Sequence, residues 1–185
     1  MSSPQQKNKE QLRQILIKEA LFREKIILSS GKESDYYFDA RRVTLSPAGA
    51  CLTAQVILGM IKDEQVDAIG GPTLGADPLA GAIAALSYQT PKPINTFIVR
   101  KAPKPHGKQQ QIEGPILKDK ARVIVIDDVA TTGKAFLESI QVLRQMNVEV
   151  VYALCIVDRE EGAREALEKV NCRLVSIFKG SELLK

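Results

Sequence analysis

Apolar residues recur along the chain in two alternating periods. Leu12, Ile15, Leu16 and Ala20 stand at helical spacing and predict an amphipathic helix over Gln11–Glu24. Lys25–Leu28 is apolar, Ser29–Ser34 is turn-rich and Tyr36–Asp39 is aromatic. That pattern predicts a β-hairpin pairing Lys25–Leu28 with Tyr36–Asp39, outside the main pattern. Pro47–Lys62 reads as a second helix, with Pro47 in its first turn. The pattern then becomes regular. A strand over Asp67–Ile69 ends in Gly70-Gly71-Pro72, an Ala-rich helix covers Pro78–Tyr88, and strands follow at Asn95–Val99 and Arg122–Ile126. The helix Lys134–Asn147, the strand Glu149–Val157, the helix Gly162–Val170 and the strand Arg173–Phe178 complete it. Apolar strands alternating with helices predict an α/β fold with a mainly parallel sheet covered on both faces. Between Val99 and Arg122 lies an aperiodic stretch, and a loop that long inside a compact domain is functional or disordered.

At 185 residues the chain fits one domain of ~150. With 44% hydrophobic and 26% charged residues it has a globular composition. Its 26 basic and 22 acidic residues leave a net charge of +4 and no solid basic run, so no nucleic-acid partner is expected. The longest wholly apolar run, Val150–Val157, is far short of the ~18 residues that span a bilayer. Met1–Glu10 is polar and carries no secretion signal. Cys51, Cys155 and Cys172 are widely spaced among apolar neighbours. They predict buried free thiols in a reducing compartment, neither a disulfide scaffold nor a zinc site. The expectation is a soluble cytoplasmic protein with no membrane partner.

The chemistry concentrates where the strands end, since ligands of open parallel sheets bind beyond the carboxyl ends. At Val123–Ala135 an apolar strand delivers two adjacent carboxylates, Asp127 and Asp128, into a small-residue turn that opens a helix. The turn leaves the amides of Thr131–Ala135 pointing at the helix N-terminus, an anion cradle suited to a phosphate monoester. Carboxylates beside such a cradle suit sugar hydroxyls or a magnesium ion, so a phosphorylated sugar is the expected occupant. A Walker nucleotide site is excluded because no Gly-rich loop ends in Gly-Lys-Ser/Thr, and a Gly-x-Gly-x-x-Gly turn is also absent. The bland alternative, a strand-ending acid pair beside a helix cap, explains the Asp and Thr residues separately but not their combination.

Ile126–Ala135 resembles the phosphoribosyl-diphosphate (PRPP) motif of the type I phosphoribosyltransferases. The resemblance narrows to the orotate phosphoribosyltransferases through four further segments. Arg100–Gly107 with Gln111–Gly114 is similar to their catalytic loop, and Ser30–Asp39 to their hood hairpin over the pyrimidine. Gly71–Leu79 is similar to their diphosphate loop, and Asp158–Gly162 to the motif after the next strand. It implies the type I phosphoribosyltransferase fold in a single domain of residues 1–185, with a hood over about 1–45 and a core over about 46–185. It also implies Mg²⁺-dependent transfer of the 5-phosphoribosyl group from PRPP to orotate, giving orotidine 5′-phosphate and diphosphate in de novo UMP synthesis.

The same resemblance assigns roles by position. Asp127 and Asp128 take the ribose hydroxyls, and Val129, Ala130, Thr131, Thr132, Gly133, Lys134 and Ala135 bind the remainder of PRPP about its 5′-phosphate. Arg100, Lys101, Lys104 and His106 gather about the diphosphate, with Lys104, His106 and Arg100 catalytic. Arg159 grips the orotate carboxylate, Thr131 assists, and Tyr37 and Phe38 cover the ring. Magnesium rides on PRPP and water, with no direct protein ligand. A homodimer is implied, each catalytic loop closing over the neighbour's site. One branch of the family has lysines where this chain has Ser29 and Gly75, which leaves the replacement of that charge open. Two other functions compete. A purine-base transferase would leave Arg159 idle. A non-catalytic PRPP-sensing regulator that binds nucleic acid would not need Lys104 and His106.

Overall fold

A computed structural model describes residues 3–24, 26–27, 33–102 and 111–185. Helix α1 (Pro4–Ile15) starts at Ser3, whose side chain accepts the Gln6 N–H, and a π-type turn carries it through Leu16–Ala20. The helix therefore begins and ends earlier than apolar spacing predicts. Ser-Pro is a strong start signal that outweighs the polar residues after it.

The hood pairs differently from expectation. Strand β1 (Leu21–Phe22) is antiparallel to β4 (Tyr37–Phe38), whereas β2 (Ile26–Ile27) pairs with β3 (Glu33–Ser34). Leu21 and Phe22, expected inside the first helix, take the place beside Tyr37 and Phe38 that the pattern gave to Lys25–Leu28. Helix α2 (Arg41–Thr44) follows, and α3 (Pro47–Met60) begins with Ser46 accepting the Gly49 N–H at 3.1 Å.

The remaining elements are β5 (Ala68–Pro72), α4 (Ala76–Ser87), β6 (Asn95–Val99), β7 (Ile112–Glu113) and β8 (Arg122–Ala130). After them come α5 (Lys134–Gln145), β9 (Glu149–Asp158), α6 (Ala163–Glu168), β10 (Leu174–Lys179) and α7 (Gly180–Leu183). Six strands form one sheet in the order β10-β9-β8-β5-β6-β7, parallel except for β7, which runs antiparallel to β6 at the edge. The small β7 lies inside the stretch read as aperiodic, since two residues are too few to show a period.

Strand β8 explains why the sheet is covered twice. Ile124 and Ile126 pack toward α1, α3 and α4, while Val123 and Val125 pack toward α5 and α6. All four are fully buried, worth roughly 1.5–3 kcal/mol each. Cys155 and Cys172 are buried free thiols as expected, but Cys51 on α3 is half-exposed. Among the described residues no helix is long and apolar enough to cross a membrane.

Candidate active site

The sheet reverses its winding between β5 and β8: β6 lies to one side of β5, β9 and β10 to the other side of β8. Loops leaving the carboxyl ends of β5 and β8 diverge there and open a cavity of about 830 Å³.

Strand β8 runs on to Ala130 because Val129 and Ala130 still pair with Val157 and Asp158 of β9. Asp127 and Asp128 thus belong to the strand rather than to its exit, which fixes their backbones. Each carboxylate also accepts a local amide, Asp127 Oδ1 from the Asp128 N–H at 2.9 Å and Asp128 Oδ1 from the Val129 N–H at 2.7 Å. Asp127 is buried and Asp128 half-buried. Burial, then the neighbouring Asp128 charge, pushes the Asp127 carboxyl well above the usual carboxylate range. Burial also raises Asp128, opposed by the Val129 amide and the Arg41 guanidinium. Gly75, from the loop after β5, lies against both: a Cβ there would fall 2.0 Å from Asp127 Oδ1 and 2.6 Å from Asp128 Oδ1.

Beyond β8, Gly133 takes φ +80° as the residue before α5, and a Cβ on it would come 3.2 Å from the Ala163 Cα. This left-handed turn aims the first amides of α5 back toward the strand end. Among the described residues, no hydrogen bond uses the backbone N–H groups of Thr131–Ala135. Thr131, Thr132, Lys134 and Ala135 line the cavity beside the acid pair.

The β5 loop forms the next wall. The Thr73 N–H donates to the Val99 carbonyl at 3.1 Å, and Thr73 Oγ1 donates to Asp77 Oδ2 at 2.9 Å. The hood contributes Tyr37 and Phe38, followed by Asp39 and Arg41, which form an ion pair at 3.3 Å.

Arg159 closes the far end. Asp158 anchors its loop by accepting the Glu160 N–H at 2.9 Å and pairing with Arg164 at 3.1 Å. The Arg159 N–H donates to the Ala130 carbonyl at 2.9 Å, and its guanidinium stacks 4.7 Å over the Tyr36 ring. The same guanidinium forms a 2.8 Å ion pair with Glu161. The cation is thus buried, prepaired and clamped between hood and core.

Of the residues singled out from sequence, Asp127, Asp128, Val129, Thr131, Thr132 and Lys134 border one cavity, as do Ala135, Lys101, Arg159, Tyr37 and Phe38. Gly133 acts from behind, by its turn. Ala130 lies buried in the sheet with its carbonyl committed to Arg159 rather than on the cavity wall. Arg100 is not among the residues lining this cavity: it pairs with Glu113 of β7 at 3.1 Å and borders an adjoining space that shares Pro72, Lys101 and Ala135 with it. Lys104 and His106 lie outside the described residues, as do Ser29, Lys25 and Lys32. Sequence reasoning missed Asp39, Arg41 and Glu161. Their signal was present, since Asp39 and Arg41 directly follow the aromatic strand of the hood and Glu161 follows Arg159 within one short motif.

Residues 46–180 match the phosphoribosyl transferase domain family. An orotate phosphoribosyltransferase of Aquifex aeolicus (strain VF5) is 47% identical over 157 residues, 85% of each chain. The crystal structure of Mycobacterium tuberculosis H37Rv orotate phosphoribosyltransferase in complex with Fe(III) dicitrate matches with a TM-score of 0.83 at 35% identity, covering 95% of this chain and 98% of that one. A structure of the same tuberculosis enzyme in complex with PRPP gives 0.79 at 32%, covering 96% and 99%.

Proposed function

The chain belongs to the orotate phosphoribosyltransferases of the phosphoribosyl transferase family, and from that premise we propose how its cavity moves the 5-phosphoribosyl group from PRPP to orotate. One observation carries the reading. A row of uncommitted amides follows directly on the strand that carries the acid pair, and both border one cavity. The amides of Thr131–Ala135 hold the phosphate, and Asp127 and Asp128 accept the 2′- and 3′-hydroxyls of the ribose. Both ends of the sugar are then fixed to one rigid element, which orients C1′ toward the base.

Orotate lies between the hood aromatics and Arg159. Its carboxylate takes over guanidinium donors that Glu161 occupies, two parallel hydrogen bonds being the geometry an arginine offers. As diphosphate leaves C1′, charge builds on its oxygens and the sugar becomes cationic. Lys101, Lys104 and His106, joined by Arg100, stabilise the departing charge. Arg100 pairs with Glu113 beside its own cavity, and in a homodimer it serves the neighbour's site. The hard oxygens of Asp127 and Asp128 suit a hard cation reached through water. When bound, Mg²⁺ neutralises diphosphate charge. The working place of such an enzyme is the cytoplasm, in keeping with its free thiols.

The test is a spectrophotometric assay of orotate consumption with PRPP and Mg²⁺, with adenine as the rival base. Orotate loss that depends on PRPP supports the reading. Consumption of adenine in its place would replace it with a purine enzyme.

A further inference from the structure

The diphosphate side of the cavity lacks a cation on its own loop. Pro72–Gly75 presents a proline, a threonine, a leucine and a glycine. The position that carries lysine in one branch of the family is Gly75 here, and the room for a side chain is taken by the two acid carboxylates. A lysine could not stand there without displacing Asp127.

Another cation faces that wall. Arg41, on the short helix after the hood, lines the main cavity together with Leu74, Gly75 and Asp128. It also lines the adjoining cavity of about 550 Å³, walled by Leu74, Asp77 and Pro78. Arg41 therefore stands at the mouth where the two spaces meet, across from the β5 loop. Only its Nε is engaged, by Asp39 Oδ1 at 3.3 Å. Among the described residues no partner takes its two terminal nitrogens, and its side chain is 44% exposed. The cavity's other cations differ. Arg159 is buried on Glu161, Lys134 is 82% exposed with Glu138 at 3.9 Å, and Lys101 is exposed on the segment after β6 rather than on the hood or the β5 loop.

We propose that Arg41 is a diphosphate-binding residue, supplying from the hood side the charge that the β5 loop lacks. The planar fork of a guanidinium suits two oxygens of one phosphoryl group, and Asp39 holds the third nitrogen so that the fork faces the cavity. The assignment rests on the proposed PRPP chemistry, so wild-type protein is assayed alongside every variant.

The experiment measures binding of inorganic diphosphate, ribose 5-phosphate and orotate by calorimetry, with kcat and both KM values, for R41A, R41K and D39N. R41A is expected to weaken diphosphate and raise the PRPP KM by ~10-fold or more, as loss of a charged hydrogen-bonding partner does. The orotate KM should stay within about twofold, because its contacts lie elsewhere, and ribose 5-phosphate should lose less than diphosphate, because Arg41 acts on the ribose only through the Asp128 charge. R41K should recover part of the diphosphate affinity, as a point charge without the fork. D39N should weaken diphosphate less than R41A does, since an amide oxygen still accepts from Nε and the fork keeps its charge. Unchanged diphosphate affinity in R41A overturns the assignment. So does an equal loss in D39N, which would make Arg41 a brace for Asp39. An inactive wild type that binds no PRPP would instead strike the proposed function.

Discussion

Asp127 illustrates how one residue can serve function at the expense of stability. Its folded carboxyl holds its proton above the usual value of 3.8, so the folded chain binds more protons than the unfolded one over the range just above that value. Stability then falls as pH rises from that value through the raised carboxyl range, so the buried carboxyl is a net burden at neutral pH. D127N is expected to raise Tm at pH 7 and flatten its decline above pH 4, while PRPP affinity falls at least ~10-fold. Thermal melts across pH with PRPP titrations check both, and a lowered Tm at pH 7 would show that Asp127 supports the fold. A second prediction concerns Gly75. Its Cβ site is taken by both carboxylates, so G75A should raise the PRPP KM several-fold with little change for orotate, measured by steady-state kinetics. At this scale the sequence was readable where side-chain chemistry announces itself, as in Asp127, Asp128 and Arg159. It was silent about who faces whom. Arg100 looks like Lys101 on paper, but Lys101 lines the main cavity while Arg100 is paired with Glu113 beside it.

Among the elements, β8 and α5 depend on the joint between them. Gly133 adopts φ +80° with the Ala163 backbone 3.2 Å from any added Cβ, so G133A must strain the turn or tilt the helix. We expect a loss of about 1 kcal/mol or more in denaturant unfolding, with a larger proportional loss of phosphate binding, because the amides lose their aim. Equal affinity in G133A would show that the turn does not orient the cradle. Strand β6 and helix α3 were legible nearly to the residue, since Val99 and Pro47 mark sharp changes of pattern. The ends of β8 were not. Asp127 and Asp128 look like a loop by polarity, yet pairing with β9 overrides that and extends the strand to Ala130. The hood was misread for the opposite reason: several two-residue strands offered too little alternation to fix the register.

For the molecule as a whole, the proposed exchange of loops between subunits has a numerical signature. Mixing K104A and D127N chains and letting them reassociate should restore about a quarter of wild-type activity, since half the dimers are mixed and each holds one intact site. Recovery near zero would place each loop over its own cavity. The six-stranded order and its winding reversal could be anticipated only in outline, as alternation of strands and helices gives a parallel sheet but not the neighbour of each strand.

The little edge strand has a bearing on how this scaffold tolerates change. The Arg100 N–H donates to the Gln111 carbonyl at 2.8 Å, and Ile112 and Glu113 continue the pairing with Val99 and Ile98. That stitch closes the chain into a loop whose feet stay together whatever lies between them. Lengthening such a closed insertion costs only about 0.6 kcal/mol per doubling, so its contents are free to be traded without re-registering the sheet.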